Sequence, residues 1–218
     1  MPAPEDNYRQ KGLRKKLIDE LRQKGIQSEE VLNAMLRVPR HLFLDKAFES
    51  WAYKDNAFPI DCEQTISQPY TVAFQTELLQ LKPRDKVLEI GLGSGYQASV
   101  LFEMGAKVYS IERFKALHDQ TAARLREIGY IGIRTFYGDG FMGLPAFAPF
   151  DRILITAAVP EIPQALIEQL ANGGLMVLPL GSSQQFQIMT RVSKDEQGRI
   201  TSQQFGNFRF VPMLPGKV

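Results

Sequence analysis

The chain has 218 residues, of which 44% are hydrophobic and 23% charged, and these proportions are typical of a globular protein with one α/β domain of ordinary size. The formal net charge of +2 argues against a dedicated nucleic-acid binder, because such proteins usually carry a concentrated basic surplus. A single cysteine, Cys62, excludes an internal disulfide and fits a reducing, cytoplasmic location. No apolar run approaches the ~20 residues of a membrane helix, and the polar N-terminus lacks the apolar region of a secretory signal, so we expect no membrane association.

The first 64 residues are predicted to be a helical cover that ends in a loop. Leucines recur every four residues between charged residues, which indicates an amphipathic helix ending near Gly25. Ser28 then caps a second helix, which Pro39 ends. Its apolar stripe has four members, Val31, Leu32, Met35 and Leu36. The irregular stretch 43–63 is expected to be anchored by Trp51, Tyr53 and Phe58. Two short helices cannot bury a core alone, so this segment is expected to cover the rest of the chain.

Strands and helices alternate from residue 86 onward. Five short apolar runs are predicted to be strands, at 87–90, 107–111, 134–137, 152–156 and 175–180. Helices are predicted between them at 96–104, 114–128 and 162–170, with a turn at 172–174 before the fifth strand. This alternation implies right-handed βαβ units in a mainly parallel, doubly wound α/β sheet. Residues 65–181 form this core, and residues 182–218 are predicted to close the sheet as an antiparallel hairpin, all within one domain.

The first predicted strand of this core runs directly into a glycine-rich loop at 91–95. In a doubly wound sheet, ligands bind beyond the carboxyl ends of the strands. Glycines there let the backbone approach a ligand where any Cβ would collide. Glu112 ends the second strand, where a carboxylate can accept hydrogen bonds from both hydroxyls of an adenosine ribose. Asp139 ends the third strand, within reach of an adenine amino group, so the three features together predict an adenosine site.

The spacing of the glycines distinguishes between adenosine ligands. The dinucleotide fingerprint G-x-G-x-x-G would need a glycine at position 96, where the chain has Tyr96. The observed pattern is E-x-G-x-G-x-G, from Glu89 through Gly91, Gly93 and Gly95. This form resembles the first motif of the Rossmann-like, S-adenosylmethionine-dependent methyltransferases. The spacing therefore favours the methyl donor and disfavours a nicotinamide oxidoreductase.

Residues 65–74, which read TISQPYTVAF, precede the first strand of the core. Pro69 suits the first position of a helix over 70–81, with Ser67 or Gln68 as its cap. The same segment must pack near the mouth of the crevice. The second interpretation is therefore that these residues form one wall of an active site.

TISQPYTVAFQTELL, followed by VLEIGLGSGYQASVL, resembles the protein-L-isoaspartate O-methyltransferase family. The resemblance extends over nearly the whole chain, through VPRHLF at 38–43, YGDG at 137–140, FDRILITAAVPEIP at 150–163 and FVPM at 210–213. It implies the Rossmann-like class I methyltransferase fold. One departure is the loop at 61–64, which reads DCEQ where the family often has small residues, commonly glycine.

The resemblance also implies roles for individual residues. Ser67 falls on the family's active-site serine. The residues implied to bind S-adenosylmethionine, or its product S-adenosylhomocysteine, are Thr65, Ile66, Glu89, Gly91, Gly93, Ser94, Gly95, Glu112, Arg113, Asp139 and Gly140. The implied substrates are proteins and peptides that contain L-isoaspartyl or D-aspartyl residues, with no nucleic acid, membrane or metal involved.

The residue types suit an anionic methyl acceptor. The two histidines, His41 and His118, are both expected to be structural or solvated, so no base is evident. An isoaspartyl α-carboxyl titrates near ~3.5 and is already ionised at neutral pH, so it needs no base. Ser67 is predicted to hold this carboxylate by a hydrogen bond rather than to act as a nucleophile. By resemblance, the product ester collapses to a succinimide, which reopens partly to normal aspartate.

Two alternatives stay open at this point. A nucleic-acid methyltransferase typically shows an Asn/Asp-Pro-Pro-aromatic segment after the fourth strand, where residues 156–160 read TAAVP. An adenosine-ligand sensor without turnover would keep the glycines and Glu112 but would not need Ser67. Methyl transfer to an isoaspartyl peptide separates the enzyme from the sensor.

Overall fold

The computed structural model describes residues 6–182 and 184–218, so residues 1–5 of the predicted cover and residue 183 of the predicted hairpin lie outside the described residues. The helices in the described ranges are α1 Tyr8–Gln23, α2 Glu29–Arg37, α3 Pro69–Leu78, α4 Tyr96–Glu103, α5 Lys115–Glu127 and α6 Gln164–Gln169, with 3₁₀ turns at Arg40–Phe43, Lys46–Trp51 and Pro145–Phe147. The strands are β1 Phe58–Pro59, β2 Thr65–Ile66, β3 Lys86–Ile90, β4 Lys107–Glu112, β5 Arg134–Tyr137, β6 Phe150–Ile155, β7 Leu170–Leu180, β8 Gln187–Lys194 and β9 Ile200–Phe208. None of these helices is long and apolar enough to cross a membrane.

The main sheet has the strand order β5-β4-β3-β6-β7-β8-β9, and β1 pairs with β2 in a separate short ribbon. The first five strands in this order are parallel, while β8 and β9 close the sheet as an antiparallel hairpin. The predicted fold class is therefore confirmed. The chain moves outward from β3 to β5 and then returns to start again at β6, which makes the β3–β6 junction the topological switch point. Ligands bind at such junctions, beyond the carboxyl ends of the strands.

Strand alternation divides the apolar side chains between two faces of the sheet. On β3, Val87 points into a buried cluster that includes Leu21 of α1 and Leu32 of α2, whereas Leu88 and Ile90 point into the cluster on the other face. The N-terminal helices therefore share one buried core with the sheet, and α2 joins it by packing against α3 and α4, as the predicted cover requires. Burial of each such leucine contributes roughly 1.5–3 kcal/mol.

Three local predictions were wrong. Trp51 was expected to anchor the 43–63 stretch but is 51% exposed, whereas Tyr53 and Phe58 are buried as predicted. The predicted turn at 172–174 lies inside β7, because an irregular register against β6 absorbs the extra residues with Gly173 in left-handed backbone at φ 74°. Helix α3 ends at Leu78 rather than at residue 81, and left-handed backbone follows at Gln80, where φ is 48°.

We expect the cover and the sheet to unfold as one unit, because Leu32 of α2 and Val177 of β7 belong to the same buried cluster. Leu32→Ala should lower the free energy of unfolding by about 2–5 kcal/mol and shift the whole transition. Leu36→Ala, on the exposed edge of the same helix, is the matched control and should change it much less. Urea unfolding followed by Trp51 fluorescence and by circular dichroism measures both, and two separate transitions would contradict a single unit.

Candidate active site

Three connected depressions lie at the carboxyl edge of the sheet. The first, the glycine-loop cavity, is walled by residues 64–67 on one side and by residues 91–94, Tyr96 and Gln97 on the other. It shares Gln64, Gly91 and Glu112 with the second, the outer cavity, which continues toward Phe114 and residues 212–214. The third, the aromatic groove, lies between the start of α3 and residues 206–211.

The wall between the glycine-loop cavity and the aromatic groove is built from a small set of shared residues. They are Thr65, Ser67, Thr156 and Val211. Each comes from a different part of the chain: the β1–β2 ribbon, the approach to α3, the end of β6 and the segment after β9. A group bound in one depression can therefore meet a group bound in the other at Ser67.

The glycine loop is shaped by the close approach of its neighbours. The Thr156 hydroxyl, just beyond β6, donates to the carbonyl of Ile90 at 2.9 Å, and a Cβ at Gly91 would collide with that hydroxyl. A Cβ at Gly95 would lie 2.9 Å from Thr121 of α5. Both glycines also have positive φ, 95° and 86°, which other residues rarely adopt. Gly91 lines the cavity, while Gly95 faces α5 and fixes how the loop enters α4.

Glu112 lies where the glycine-loop cavity meets the outer cavity. The parallel ladder pairs Ile111 of β4 with Ile90 of β3, which brings this last residue of β4 beside the loop. Its carboxylate is buried and accepts hydrogen bonds from the backbone N–H groups of Gly93 at 3.0 Å, Arg113 at 2.9 Å and Phe114 at 3.1 Å. A carboxylate has about four acceptor positions, so capacity for a ligand hydroxyl remains.

Asp139 and Arg113 hold the last residues of the chain against the outer cavity. The Asp139 carboxylate accepts from the backbone N–H groups of Phe141 at 2.9 Å and Gly216 at 2.7 Å. The Arg113 guanidinium donates to the carbonyls of Pro215 at 3.2 Å and Gly216 at 3.4 Å. Both residues were predicted from sequence as part of the adenosine site, but their contacts with residues 215–216 were not.

Gly140 forms part of the outer cavity wall together with Met213 and Leu214. A Cβ at position 140 would lie 2.5 Å from Cγ2 of Ile90 and 3.0 Å from Cε of Met213, so a side chain there would fill the space. Met213 and Leu214 were missed as wall residues by the sequence analysis. The FVPM segment at 210–213, which ends at Met213 and directly precedes Leu214, was interpreted only as a resemblance.

Glu89 lies behind the loop and is absent from the described residues that wall either cavity. Its side chain is fully buried on β3, where the Ser110 hydroxyl donates to Oε2 and Oε1 has no hydrogen-bond partner among the described residues. Burial raises the pKa of Glu89 to about 8, with a smaller contribution from the negative charge of Glu112. A role of Glu89 in cofactor binding stays a prediction. Because Glu89 does not reach the cavities, such a role would be indirect, through support of the glycine loop.

Ser67 lies between β2 and α3 and is not the helix cap. Gln68 occupies the N-cap position without a side-chain capping bond, and the Tyr70 N–H instead donates to the Asp55 carboxylate at 2.7 Å. The prediction of Gln68 as the cap residue is therefore confirmed in position, but a carboxylate distant in sequence makes the capping hydrogen bond. Thr65 and Ile66 form β2 and line the glycine-loop cavity beside Ser67, as does Ser94 from the opposite wall. The site thus brings together Ser67, the loop and Glu112.

The titratable groups near Ser67 are few. Glu112 and Tyr96 are the titratable side chains among the described residues that wall the glycine-loop cavity. His41 is buried with its ring bonded to the Tyr53 hydroxyl, and His118 lies beside Asp119, so neither histidine lines the described cavities. Across the described part of the chain, no group of three or more His, Cys, Asp or Glu side chains is arranged to hold a metal ion. The site therefore suits an acceptor that is already anionic.

Glu89 makes the stability of the protein depend on pH. The folded-state pKa near 8 lies above the ordinary 4.5, so between these values the folded protein keeps a proton that the unfolded chain releases. The free energy of unfolding then falls as pH rises, by up to about 1.4 kcal/mol per pH unit. Glu89→Gln should remove this dependence. The free energy of unfolding of the variant should therefore rise relative to that of the wild type from about pH 5 to about pH 8. Urea unfolding across that range tests it, and parallel pH profiles would contradict it.

The sheet with its β3–β6 switch point, the glycine loop after β3 and the carboxylate at the end of β4 define a Rossmann-like, class I S-adenosylmethionine-dependent methyltransferase. The sequence model of the protein-L-isoaspartate(D-aspartate) O-methyltransferase family matches residues 12–217. The chain belongs to this family. The resemblance predicted from TISQPYTVAFQTELL and the following loop is confirmed.

Bacterial relatives match along almost their whole length. A protein-L-isoaspartate O-methyltransferase of Cytophaga hutchinsonii is 56% identical over 210 residues, which cover 96% of this chain and 94% of the relative. One from Flavobacterium psychrophilum is 50% identical over 212 residues, covering 97% of this chain and 99% of the relative. One from Salinibacter ruber is 46% identical over 222 aligned positions, which cover 97% of this chain and 96% of the relative.

Solved structures show the same fold. A protein-L-isoaspartate O-methyltransferase superposes with a TM-score of 0.83 at 29% identity, over 91% of this chain and 65% of that longer chain. A Plasmodium falciparum protein described as a beta-aspartate methyltransferase, solved with S-adenosyl-L-homocysteine, gives a TM-score of 0.81 at 23% identity, over 92% of this chain and 98% of that one. The second likeness is one of fold alone.

Proposed function

We propose that this protein transfers the methyl group of S-adenosylmethionine to the free α-carboxylate of L-isoaspartyl residues in damaged proteins and peptides. One observation carries the proposal: Ser67 lies on the wall shared by the glycine-loop cavity and the aromatic groove. A methyl donor in the first and a peptide in the second would meet there. Membership in the family supports the choice of donor and acceptor.

The residues around the glycine loop fit the donor and its product, S-adenosylhomocysteine. The backbone at Gly91 leaves a space that a Cβ could not share with Thr156, and the Glu112 carboxylate faces the junction of the two cavities. We assign the methionine part to Thr65, Ile66, Gly91, Gly93 and Ser94, the ribose to Glu112, and the adenine border to Arg113, Asp139 and Gly140. Glu89 and Gly95 support the loop from behind. When bound, the donor supplies a methyl group activated by the positive charge of its sulfonium.

The aromatic groove is proposed to hold the acceptor peptide. It is a cavity of about 630 Å³ that opens from Ser67 along Tyr70, Phe74 and Phe208. The rings of Tyr70 and Phe208 stack with an interplanar angle of 12°, which gives the groove a flat apolar wall. Arg209 is the one charged residue among those described in its lining. Such a groove suits a stretch of extended polypeptide that presents one carboxylate at its inner end.

The chemistry assigned to Ser67 is orientation of the acceptor. An α-carboxylate is ionised at neutral pH, since its pKa lies near ~3.5, so the site needs no base. The Ser67 hydroxyl donates to one carboxylate oxygen and leaves the other directed at the methyl group. Alignment of two bound reactants can supply roughly 7–11 kcal/mol of the barrier in favourable cases. The following backbone nitrogen then attacks the ester, methanol leaves, and the succinimide forms.

We also propose a cytoplasmic location and no nucleic-acid partner. The single cysteine of the chain is a free, half-buried thiol, which supports a reducing compartment. A groove with aromatic walls and one arginine supports a peptide ligand, because nucleic-acid sites carry clustered basic residues.

Methyl transfer to a matched peptide pair tests the proposed function. Purified protein is incubated with labelled S-adenosylmethionine and two peptides that differ only in an isoaspartyl or a normal aspartyl residue. The proposal predicts base-labile label on the isoaspartyl peptide alone. Label on neither peptide, with S-adenosylhomocysteine binding confirmed by calorimetry, would favour the sensor without turnover.

Glu112→Gln should weaken S-adenosylhomocysteine binding by about 10-fold or more, because hydrogen bonds to a charged group contribute about 1.5–3 kcal/mol each. Glu168→Gln, on the exposed side of α6, is the matched control and should bind normally. Isothermal calorimetry measures the affinities, and the melting temperature of each variant checks the fold. Unchanged affinity in Glu112→Gln would remove Glu112 from the ribose site.

Ser67→Ala should lower kcat on the isoaspartyl peptide by about 10- to 100-fold, since the lost hydrogen bond is made to a charged carboxylate. The affinity for S-adenosylhomocysteine should be unchanged, because the hydroxyl is assigned to the acceptor. Ser202→Ala, exposed on β9, is the control for the substitution itself. Full turnover in Ser67→Ala would show that the hydroxyl does not orient the acceptor.

A further inference from the structure

Arg40 is a cation that the proposed mechanism does not use, and it is among the largest fully buried side chains of the protein. It opens the 3₁₀ turn that follows α2, within the VPRHLF segment at 38–43. Its Nε donates to the carbonyl of Ala52 at 3.1 Å, and its Nη2 donates to the carbonyl of Ser67 at 2.8 Å and lies 3.4 Å from that of Asn56. The guanidinium also lies 4.7 Å from the ring centroid of Tyr96, a wall residue of the glycine-loop cavity.

The partners of Arg40 set it apart from the other buried arginine of the cover, Arg14. Arg14 pairs with the Asp6 carboxylate at 2.8 Å and donates to the Tyr53 hydroxyl, so its charge is compensated within the cover. The hydrogen bonds of Arg40 go to backbone carbonyls instead, and burial lowers its pKa to about 10. Among the described residues no carboxylate pairs with Arg40 at hydrogen-bond distance, and Asp55 acts on its charge only at longer range. Burying such a cation is costly, and this one faces the segment that contains Ser67.

Ser67 needs an external support because it lies between two elements. β2 ends at Ile66 and α3 begins at Pro69, so neither a strand ladder nor a helix fixes its backbone. The turn at 52–56 supplies the support from one side, through the Asp55 carboxylate, which accepts from the Tyr70 N–H and from the Gln68 side chain at 3.0 Å. Arg40 supplies a second support, because the N–H groups of its guanidinium fork link the carbonyls of Ala52 and Asn56 in that turn to the carbonyl of Ser67.

We infer that Arg40 is a positioning residue for Ser67: its guanidinium fixes the Ser67 carbonyl and thereby the direction in which the hydroxyl meets the acceptor carboxylate. The inference rests on the proposed function, since it requires Ser67 to act on an acceptor. A planar guanidinium can hold two separated carbonyls at fixed angles, whereas a lysine ammonium is a point charge on a flexible stem. The charge alone is therefore insufficient, and the fork is required.

Arg40→Lys tests this against Arg14→Lys, the matched change at the other buried arginine. Arg40→Lys should lower kcat on the isoaspartyl peptide by about 10- to 100-fold, as small misplacements of reacting groups do, with the calorimetric affinity for S-adenosylhomocysteine unchanged. Arg14→Lys should lower the melting temperature while leaving kcat in place. Arg40→Gln serves as a second variant, because it removes the buried charge and its desolvation cost together with the fork.

A double-mutant cycle separates positioning from a structural role. If Arg40 acts through Ser67, adding Arg40→Lys or Arg40→Gln to Ser67→Ala should cost little further kcat. Equal losses of kcat in the wild-type and Ser67→Ala backgrounds would overturn the inference, and so would an unchanged kcat in both Arg40 variants. Failure of the proposed function would be visible separately, as a wild-type protein that binds S-adenosylhomocysteine and leaves the isoaspartyl peptide unmethylated.

Discussion

The contact between the ends of β3 and β6 determines the geometry of the whole site. The Thr156 backbone N–H donates to the Ile90 carbonyl at 3.0 Å, and the Thr156 hydroxyl reaches the same carbonyl at 2.9 Å. This contact occupies the space in which a side chain at Gly91 would lie, so the chain must turn there without a Cβ. The turn exposes the loop to the crevice, and Thr156 itself becomes part of the wall between the two depressions that meet at Ser67.

The parts of the site that follow a local pattern could be predicted from the sequence. Glycine spacing predicted the loop, and the end of an apolar run predicted the place of Glu112, since parallel strands end at the same edge. Contacts between distant residues left no such signal. The Asp55 carboxylate caps α3 from 15 residues away, and Gly216 reaches Asp139 across 77 residues. The segment at 172–174 has the composition of a turn, but it forms an irregularity within β7, between the residues that pair with Phe150 and Arg152 of β6.

Buried ionisable groups surround the site without facing the reacting atoms. Glu89 lies under the loop with a raised pKa, and Arg40 lies under the segment that carries Ser67. Arg40 holds backbone carbonyls at the cost of burying its charge, whereas Glu89 is mostly protonated at neutral pH and is bonded to the Ser110 hydroxyl. Around Ser67 the lining is almost free of titratable groups, which agrees with an acceptor that arrives ionised and needs orientation rather than proton removal.

The central claim is that donor and acceptor occupy different depressions that meet at Ser67. A crystal structure of the protein with S-adenosylhomocysteine and an isoaspartyl peptide tests it directly. The account predicts the peptide in the aromatic groove, with an oxygen of its isoaspartyl carboxylate about 2.5–3.0 Å from Oγ of Ser67. A peptide bound elsewhere, or a carboxylate held by other groups with Ser67 turned away, would contradict it.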